Sequence, residues 1–304
     1  MLSRCVIRLS ERDFEGSFAF LFFILCTAAQ KERKMATCAH SHLWDPAGLG
    51  YVRKAASMVS ISRSFSMNDL ARRIAENLVG VQQRMADAAA RAGRAASDVR
   101  LVAVTKYVGP DEIAALIAAG CVDLGESRPQ ALWQRADSFR DAPVRWHLIG
   151  HLQRNKVART LACASLIHSV DSERLLATIE TEAAKLERAV DVLLEVNVSG
   201  DATKHGVAPE GLGGLVAAAA RCRHVRTRGL MTMASREGDA DAARADFARL
   251  RKLRDEIATG AFRNELGNVD LAELSMGMSG DFEQAIEEGA TIVRVGSALF
   301  EGLR

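Results

Sequence analysis

Lys106, Ser275, Arg294, Gly296 and Ser297 are the residues of this 304-residue chain whose types could do chemistry together. Lys106 ends the run Leu101-Val-Ala-Val-Thr-Lys106, whose apolar, β-branched residues read as a strand buried on both faces. An ammonium at the end of such a strand is costly unless it reaches water, finds a partner or serves as a nucleophile. Far along the chain, Ser275-Met-Gly-Met-Ser279 and Arg294-Val-Gly-Ser297 each place serine close to glycine. Small residues at strand ends let backbone N–H groups approach an anion closely, although either cluster alone is an ordinary turn signal. An amine, an anion cradle and a permanently charged guanidinium suit covalent capture of a carbonyl on a phosphorylated ligand.

These groups meet only if the elements between them bring them together. From Met67 the chain reads as an amphipathic helix over residues 68–92, with Leu70, Ile74, Leu78, Val81 and Met85 at helical spacing. Strand-like runs follow at 101–106, 122–126, 144–150, 166–170, 190–197, 225–233, 271–277 and 292–300. Helical patterns occupy 111–119, 153–163, 172–186, 211–222, 240–258 and 281–288, the last ending at Gly289. Eight strands, with a helical segment after all but the second and the last, predict an α/β fold. The architecture expected is a (β/α)8 TIM barrel with an extra N-terminal helix. An open doubly wound sheet is the competing arrangement. Its dinucleotide fingerprint is missing: Gly211-Leu-Gly-Gly214 follows a long loop and lacks the third spaced glycine, and no GxxxxGK[ST] loop occurs.

A barrel gathers the C-terminal ends of its strands on one face. Strand one supplies Lys106 there and strand two Gly125-Glu-Ser127. Strand three supplies His147 to Gly150 and then His151, Gln153, Asn155 and Lys156. Strand four gives His168 and Ser169, and strand five Glu195 and Asn197. Phosphate sites in barrels often use the loops after strands seven and eight, where both serine–glycine clusters fall. A ligand with an aldehyde at one end and a phosphate at the other would bridge those loops to Lys106. Pyridoxal 5′-phosphate (PLP) is such a ligand. Lys106 would form the Schiff base, the clusters would hold the phosphate, and Arg294 would sit near the pyridine nitrogen. A guanidinium in that place keeps the nitrogen unprotonated and weakens the ring as an electron sink.

The same stretches carry a family resemblance. Val104-Thr-Lys106, Leu124-Gly-Glu126, His147-Leu-Ile-Gly-His-Leu-Gln-Arg-Asn-Lys156, Lys204-His-Gly206, Arg228-Gly-Leu-Met231, Ser275-Met-Gly-Met-Ser279 and Val293-Arg-Val-Gly296 run in order over nearly all the body. Together they resemble the pyridoxal-phosphate homeostasis proteins, whose fold is the alanine racemase N-terminal barrel. The resemblance implies Lys106 as the Schiff-base lysine, Ser275, Gly296 and Ser297 on the phosphate, and Arg294 at the ring nitrogen. It further implies a cytoplasmic monomer acting in PLP homeostasis. Ser127 stands where the family usually has asparagine, and its shorter side chain reaches less far.

A PLP-dependent amino-acid racemase on the same barrel is the alternative. Racemisation needs a proton donor and a proton acceptor on opposite faces of the substrate carbon. In the racemases a tyrosine from a second, β-rich domain supplies one of them. Here the sequence ends at Arg304 and residues 67–304 hold a single tyrosine, Tyr107, beside the lysine. PLP binding without turnover is therefore the expectation. A barrel taking some other phosphorylated metabolite, with Lys106 as an ion partner, is a third reading.

Residues 1–66 differ from this body. They hold six of the eleven phenylalanines and nine Lys/Arg against five Asp/Glu, which leaves 31 basic and 33 acidic groups for residues 67–304. That balance excludes a broad basic face for nucleic acid on the body. The apolar run at residues 16–29 follows Arg4, Arg8 and Arg12 but is shorter than the ~20 residues of a membrane span. Residues 1–66 are read as a disordered leader or a mis-assigned upstream start, with a targeting segment as the alternative, and 67–304 as one PLP-binding domain. Six scattered cysteines without a CxxC pair indicate a reduced interior and no thiolate metal site. His147 and His151 lack the glutamate of HExxH and read as a satisfied polar pair, with no metal expected. Cys38, His40 and His42 read as coincidence.

Overall fold

Short apolar runs alternate along the body with segments of 3.6-residue apolar period, and the chain folds accordingly. The computed structural model describes residues 66–235, 240–260 and 266–303. Helix α1 (Met67–Arg91) comes first. Then follow β1 (Arg100–Val104), α2 (Pro110–Ala118), β2 (Asp123–Glu126), α3 (Pro129–Ser138), β3 (Arg145–Leu148) and α4 (Val157–Leu161). The chain continues through β4 (Ala164–Val170), α5 (Glu173–Lys185), β5 (Val190–Glu195), α6 (Leu212–Ala220) and β6 (Val225–Met231). It closes with α7 (Ala240–Thr259), β7 (Val269–Ser275), α8 (Phe282–Glu287) and β8 (Ile292–Val295). All strand pairs are parallel, each strand pairs with the next, and β8 returns to β1 through Arg100↔Ile292 and Val102↔Arg294. The expected (β/α)8 barrel is present.

Ser66 starts α1: its Oγ accepts from Asp69 N at 3.2 Å and so satisfies one otherwise orphaned donor. The apolar stripe Ile74, Leu78, Val81 and Met85 is buried. This helix packs against α2 and α8 and against the segment after β8, which is where a helix following β8 would lie. Asn77 Nδ2 donates to the carbonyls of Leu299 and Glu301, and Arg84 and Arg91 pair with Glu283 and Glu287 of α8. The extra helix thus completes the outer ring. Of the leader expected at residues 1–66, all but Ser66 lie outside the described residues.

Several strands end before the apolar run does. The run 144–150 supplies a strand only to Leu148, 225–233 only to Met231, and 292–300 only to Val295, followed by a 3₁₀ turn at Ser297–Phe300. The reason is packing rather than pairing. Ile149 and Met233 fill the inner cluster formed by Val102, Leu166, Leu193, Met231 and Ile292, while Leu299 joins the layer between strands and helices. Residues 153–163, expected as one helix, divide into a 3₁₀ turn at Arg154–Lys156 and the short α4. Helix α3 has no counterpart in the sequence reading. Pro129 at its first turn and buried Leu132 were the available signals.

Candidate functional site

A cavity of about 630 Å³ opens at the C-terminal ends of the strands. Side chains in a strand alternate between faces, so residues two apart along each strand share the barrel interior. Val102 fills the inner cluster and Val104 lines the cavity, and Lys106 continues the same parity into its wall. Leu193 and Glu195, Met231 and Met233, and Ile292, Arg294 and Gly296 repeat the pattern on β5, β6 and β8. Lys106, Arg294, Gly296 and Ser297 therefore meet in one cavity, as the sequence expected. Ser275 does not reach it.

Lys106 lies in a turn two residues past the end of β1, and its Nζ sits 4.9 Å from the centre of the Tyr107 ring. The turn is held from α3. Arg135 donates to the carbonyls of Thr105 and, at 3.0 Å, of Val108, one on each side of Lys106. The same guanidinium pairs with Glu126 Oε2 at 2.7 Å, and that carboxylate, fully buried, also accepts from Ser127 N at 2.8 Å. A buried charge pair fixes its own geometry because either partner alone would be heavily penalised. Glu126 was marked in the sequence only as part of a strand end, and Arg135 was missed with its helix.

At the other end of the cavity, Ser279 Oγ accepts from the backbone N–H of Gly296 at 3.0 Å and of Ala298 at 3.5 Å. Two donors thus converge on one hydroxyl oxygen beside Gly280 and Ser297. The loop that delivers Ser279 depends on Gly277, whose φ of +90° lies in the left-handed region. A Cβ there would stand 2.6 Å from the Ala285 Cβ.

Ser275 is fully buried beneath this loop and belongs to a chain of hydrogen bonds through the barrel. Arg294 Nη1 donates to Ser275 Oγ at 2.6 Å, and Nη2 to the Thr232 carbonyl at 2.8 Å. Ser275 Oγ meets His168 Nδ1 at 2.9 Å, His168 Nε2 meets His147 Nδ1 at 3.0 Å, and His147 Nε2 meets Asp123 Oδ1 at 2.9 Å. Arg145 closes the far end with a bidentate pair to Asp123, both contacts 2.7 Å.

The ends set the direction of every bond between them. Guanidinium only donates, and an ionised carboxylate only accepts. Although burial opposes ionisation of Asp123, bonds to His147 and Arg145 hold its carboxyl down at about 2. Ser275 must therefore donate its O–H to His168 Nδ1, and both histidines carry their proton on Nε2. Burial pushes both imidazoles below their usual range, His168 furthest, in agreement with two neutral rings. His147 is thus a satisfied interior group, but its partners are His168 and Asp123. His151 lies elsewhere, at the cavity rim.

Comparison with known proteins bears on this site. Residues 77–303 match the family model of the alanine racemase N-terminal domain. A pyridoxal phosphate homeostasis protein of Aquifex aeolicus is 41% identical over 225 residues, 74% of this chain and 96% of that protein. The chain belongs to this family. Its namesake in Pseudomonas aeruginosa is 38% identical over 227 residues, 75% of this chain and 94% of the relative. Among solved structures, PipY of Synechococcus elongatus with PLP bound is 31% identical. It superposes with a TM-score of 0.63 over 75% of this chain and 99% of its own.

One cavity group of this family member stands apart. Glu195 is 3% exposed, and among the described residues no hydrogen-bond donor or cation meets its carboxylate. Burial, reinforced by the charge of Asp171 and opposed by Arg294, raises it to about 7. Burial likewise pushes the Arg294 guanidinium down to about 10, against the attraction of Glu195 and Asp281. The sequence reading noted Glu195 at a strand end but did not place it in the site. A lone carboxylate at the end of an apolar strand was the signal.

Proposed function

We propose that the chain binds PLP covalently through Lys106 and serves PLP homeostasis as a carrier rather than a catalyst. The observation that carries this reading is the meeting of Lys106, Arg294 and the converging N–H groups of Gly296 and Ala298 around one cavity. The residues present fit the group. The N–H donors now satisfied by Ser279 Oγ are the kind a phosphate oxygen accepts from, and the Gly296 position is tight, with a Cβ there 3.3 Å from the Val104 Cβ. When bound, PLP supplies an aldehyde that condenses with a primary amine with loss of water.

Each residue then has a task in the binding. Lys106 offers the amine, and Arg135 holds its turn. Arg294 presents its guanidinium to the ring nitrogen, anchored from behind by Ser275 and the Thr232 carbonyl. Gly296, Ser297 and Ser279 receive the phosphate, and Ser275, assigned to the phosphate from sequence, instead orients Arg294. A guanidinium at the ring nitrogen favours storage because it leaves the ring a poor electron sink. Cys121, Cys163 and Cys222 are free thiols, each raised by burial to about 11, which supports a reducing, cytoplasmic setting. Among the described residues no helix is long and apolar enough to cross a membrane.

Glu195 favours a second reading, an amino-acid racemase, because a carboxyl raised to about 7 in the cavity wall suits proton transfer. Incubation of the full chain with PLP should give a yellow protein whose cofactor borohydride fixes on Lys106, and Lys106→Ala should abolish the fixed adduct. A colourless protein, or an adduct unchanged in the variant, defeats the binding reading. Release of solvent deuterium into common amino acids, lost in Glu195→Gln, would select the racemase instead.

A further inference from the structure

Three consecutive loops, after β3, β4 and β5, bring His151, Asp171 and His205 together beside the cavity. One ligand atom from each lies within 4.8 Å of the other two. The two imidazole rings stack with centroids 4.2 Å apart and planes 15° from parallel, and His151 Nδ1 stands 3.4 Å from Asp171 Oδ2. No step of the cofactor reading uses these three groups.

Two imidazoles and one carboxylate form the donor set of borderline divalent ions, Zn²⁺ foremost. Metal–ligand bonds of about 2.0–2.2 Å place tetrahedral ligand atoms about 3.3–3.5 Å apart. The His151–Asp171 pair already has that separation. His205 is exposed on a loop, so a modest rotation of its side chain closes the remainder.

A second observation points to a cation here. Glu195 ends β5, lines the same cavity as His151 and His205, is 3% exposed and has no hydrogen-bond or ion-pair partner among the described residues. Two carboxylates, Asp171 and Glu195, therefore stand at neighbouring strand ends. The nearest ammonium in sequence does not answer them, because Lys204 Nζ is turned to the carbonyls of Met233 and Ala234 at 3.3 and 2.8 Å. Carboxylates beside imidazole nitrogens form a place where a divalent ion is stabilised.

We propose that His151, Asp171 and His205 bind a divalent transition-metal ion of the zinc class at the rim of the cavity. Three protein ligands leave a coordination position open, as in sites that bind a further ligand rather than purely structural ones. The assignment goes beyond the cofactor reading and stands without it, since neither Lys106 nor Arg294 takes part.

The untagged full-length protein, stripped with a chelator and dialysed, is titrated with Co²⁺ alone and followed by its visible d–d bands. One Co²⁺ per chain, displaced by Zn²⁺, is expected. Loss of outer-shell partners alone weakens metal sites by about 10–100-fold, so His205→Ala and Asp171→Asn should each weaken binding by at least about tenfold. Far-UV circular dichroism should be unchanged, because His205 is exposed and Asn matches Asp in shape. No d–d band, equal affinity in the variants, or a thiolate charge-transfer band in place of the imidazole spectrum overturns the proposal.

Discussion

The barrel interior and the barrel mouth use the same kinds of side chain to opposite ends. Inside, Asp123, His147, His168, Ser275 and Arg294 form one line, closed at its outer end by the exposed Arg145, in which each link joins a donor to an acceptor. At the mouth, Glu195 has no hydrogen-bond or ion-pair partner among the described residues, and Lys106 projects into the cavity wall. Buried polar groups cost free energy unless they are satisfied, so a fully paired line can fix a core while an unpaired group must be retained for something else. The interior line ends on Arg294, the one residue that belongs to both regions. Satisfaction within the core thus delivers an oriented cation to a site that is itself unsatisfied.

The sharpest way to break this contrast is to make a satisfied group unsatisfied. Arg135→Ala leaves the fully buried Glu126 carboxyl with only backbone donors, and should cost about 3–5 kcal/mol in urea denaturation. It also frees the carbonyls on either side of Lys106, so PLP retention should fall with stability. Unchanged stability would show that the pair is not needed to hold the turn.

The opposite change tests the mouth. Glu195 is raised from its ordinary value near 4.5 to about 7, so the folded chain binds a proton that the unfolded chain has lost between those values. Stability should therefore fall as pH rises from about 4.5 to 7, by on the order of 3 kcal/mol in the absence of ligand. Glu195→Gln should remove that slope and stabilise the protein above pH 7, as read by thermal melts across pH. A variant less stable than the parent at pH 8 would mean that the carboxylate has a partner after all.

Asp123 should show the reverse sign. Its carboxyl is held down at about 2 from an ordinary value near 3.8, so its contribution is complete above about 3.8 and is lost as pH falls towards 2. About 2 kcal/mol should disappear across that window, and Asp123→Asn should lose it at every higher pH. The smallest effect lies outside both regions. Arg84→Ala removes a half-exposed pair with Glu283 and should change stability by less than about 1 kcal/mol, less still in salt.

Much of the fold could be read in the chain because strand and helix periods are local. The eight strands were placed from runs such as 166–170 and 190–197, and the barrel followed from their alternation with helices. Helix α3 was not, since its sequence Pro-Gln-Ala-Leu-Trp-Gln-Arg-Ala-Asp-Ser has few apolar positions to repeat. The site was only partly legible. Lys106, Arg294, Gly296 and Ser297 could be expected in one cavity because strand ends in a barrel converge. Ser275 was given to the phosphate because sequence places it at a strand end but not at a depth, and one residue of depth decides between cavity and core.

The sequence by itself determined the elements, their order and the parity that turns Lys106, Glu195 and Arg294 inward, since these follow from spacing along one chain. Only the tertiary structure decided which polar groups are paired. His147 with His168, Ser275 with Arg294 and Arg135 with Glu126 join residues 9 to 21 positions apart, through distances that no local pattern encodes. A hydrogen bond depends on a few tenths of an ångström and on direction, whereas a hydrophobic period survives displacements of that size. The chain therefore announces a barrel with a lysine at its mouth, and folding alone settles which charges are held and which are left for a ligand.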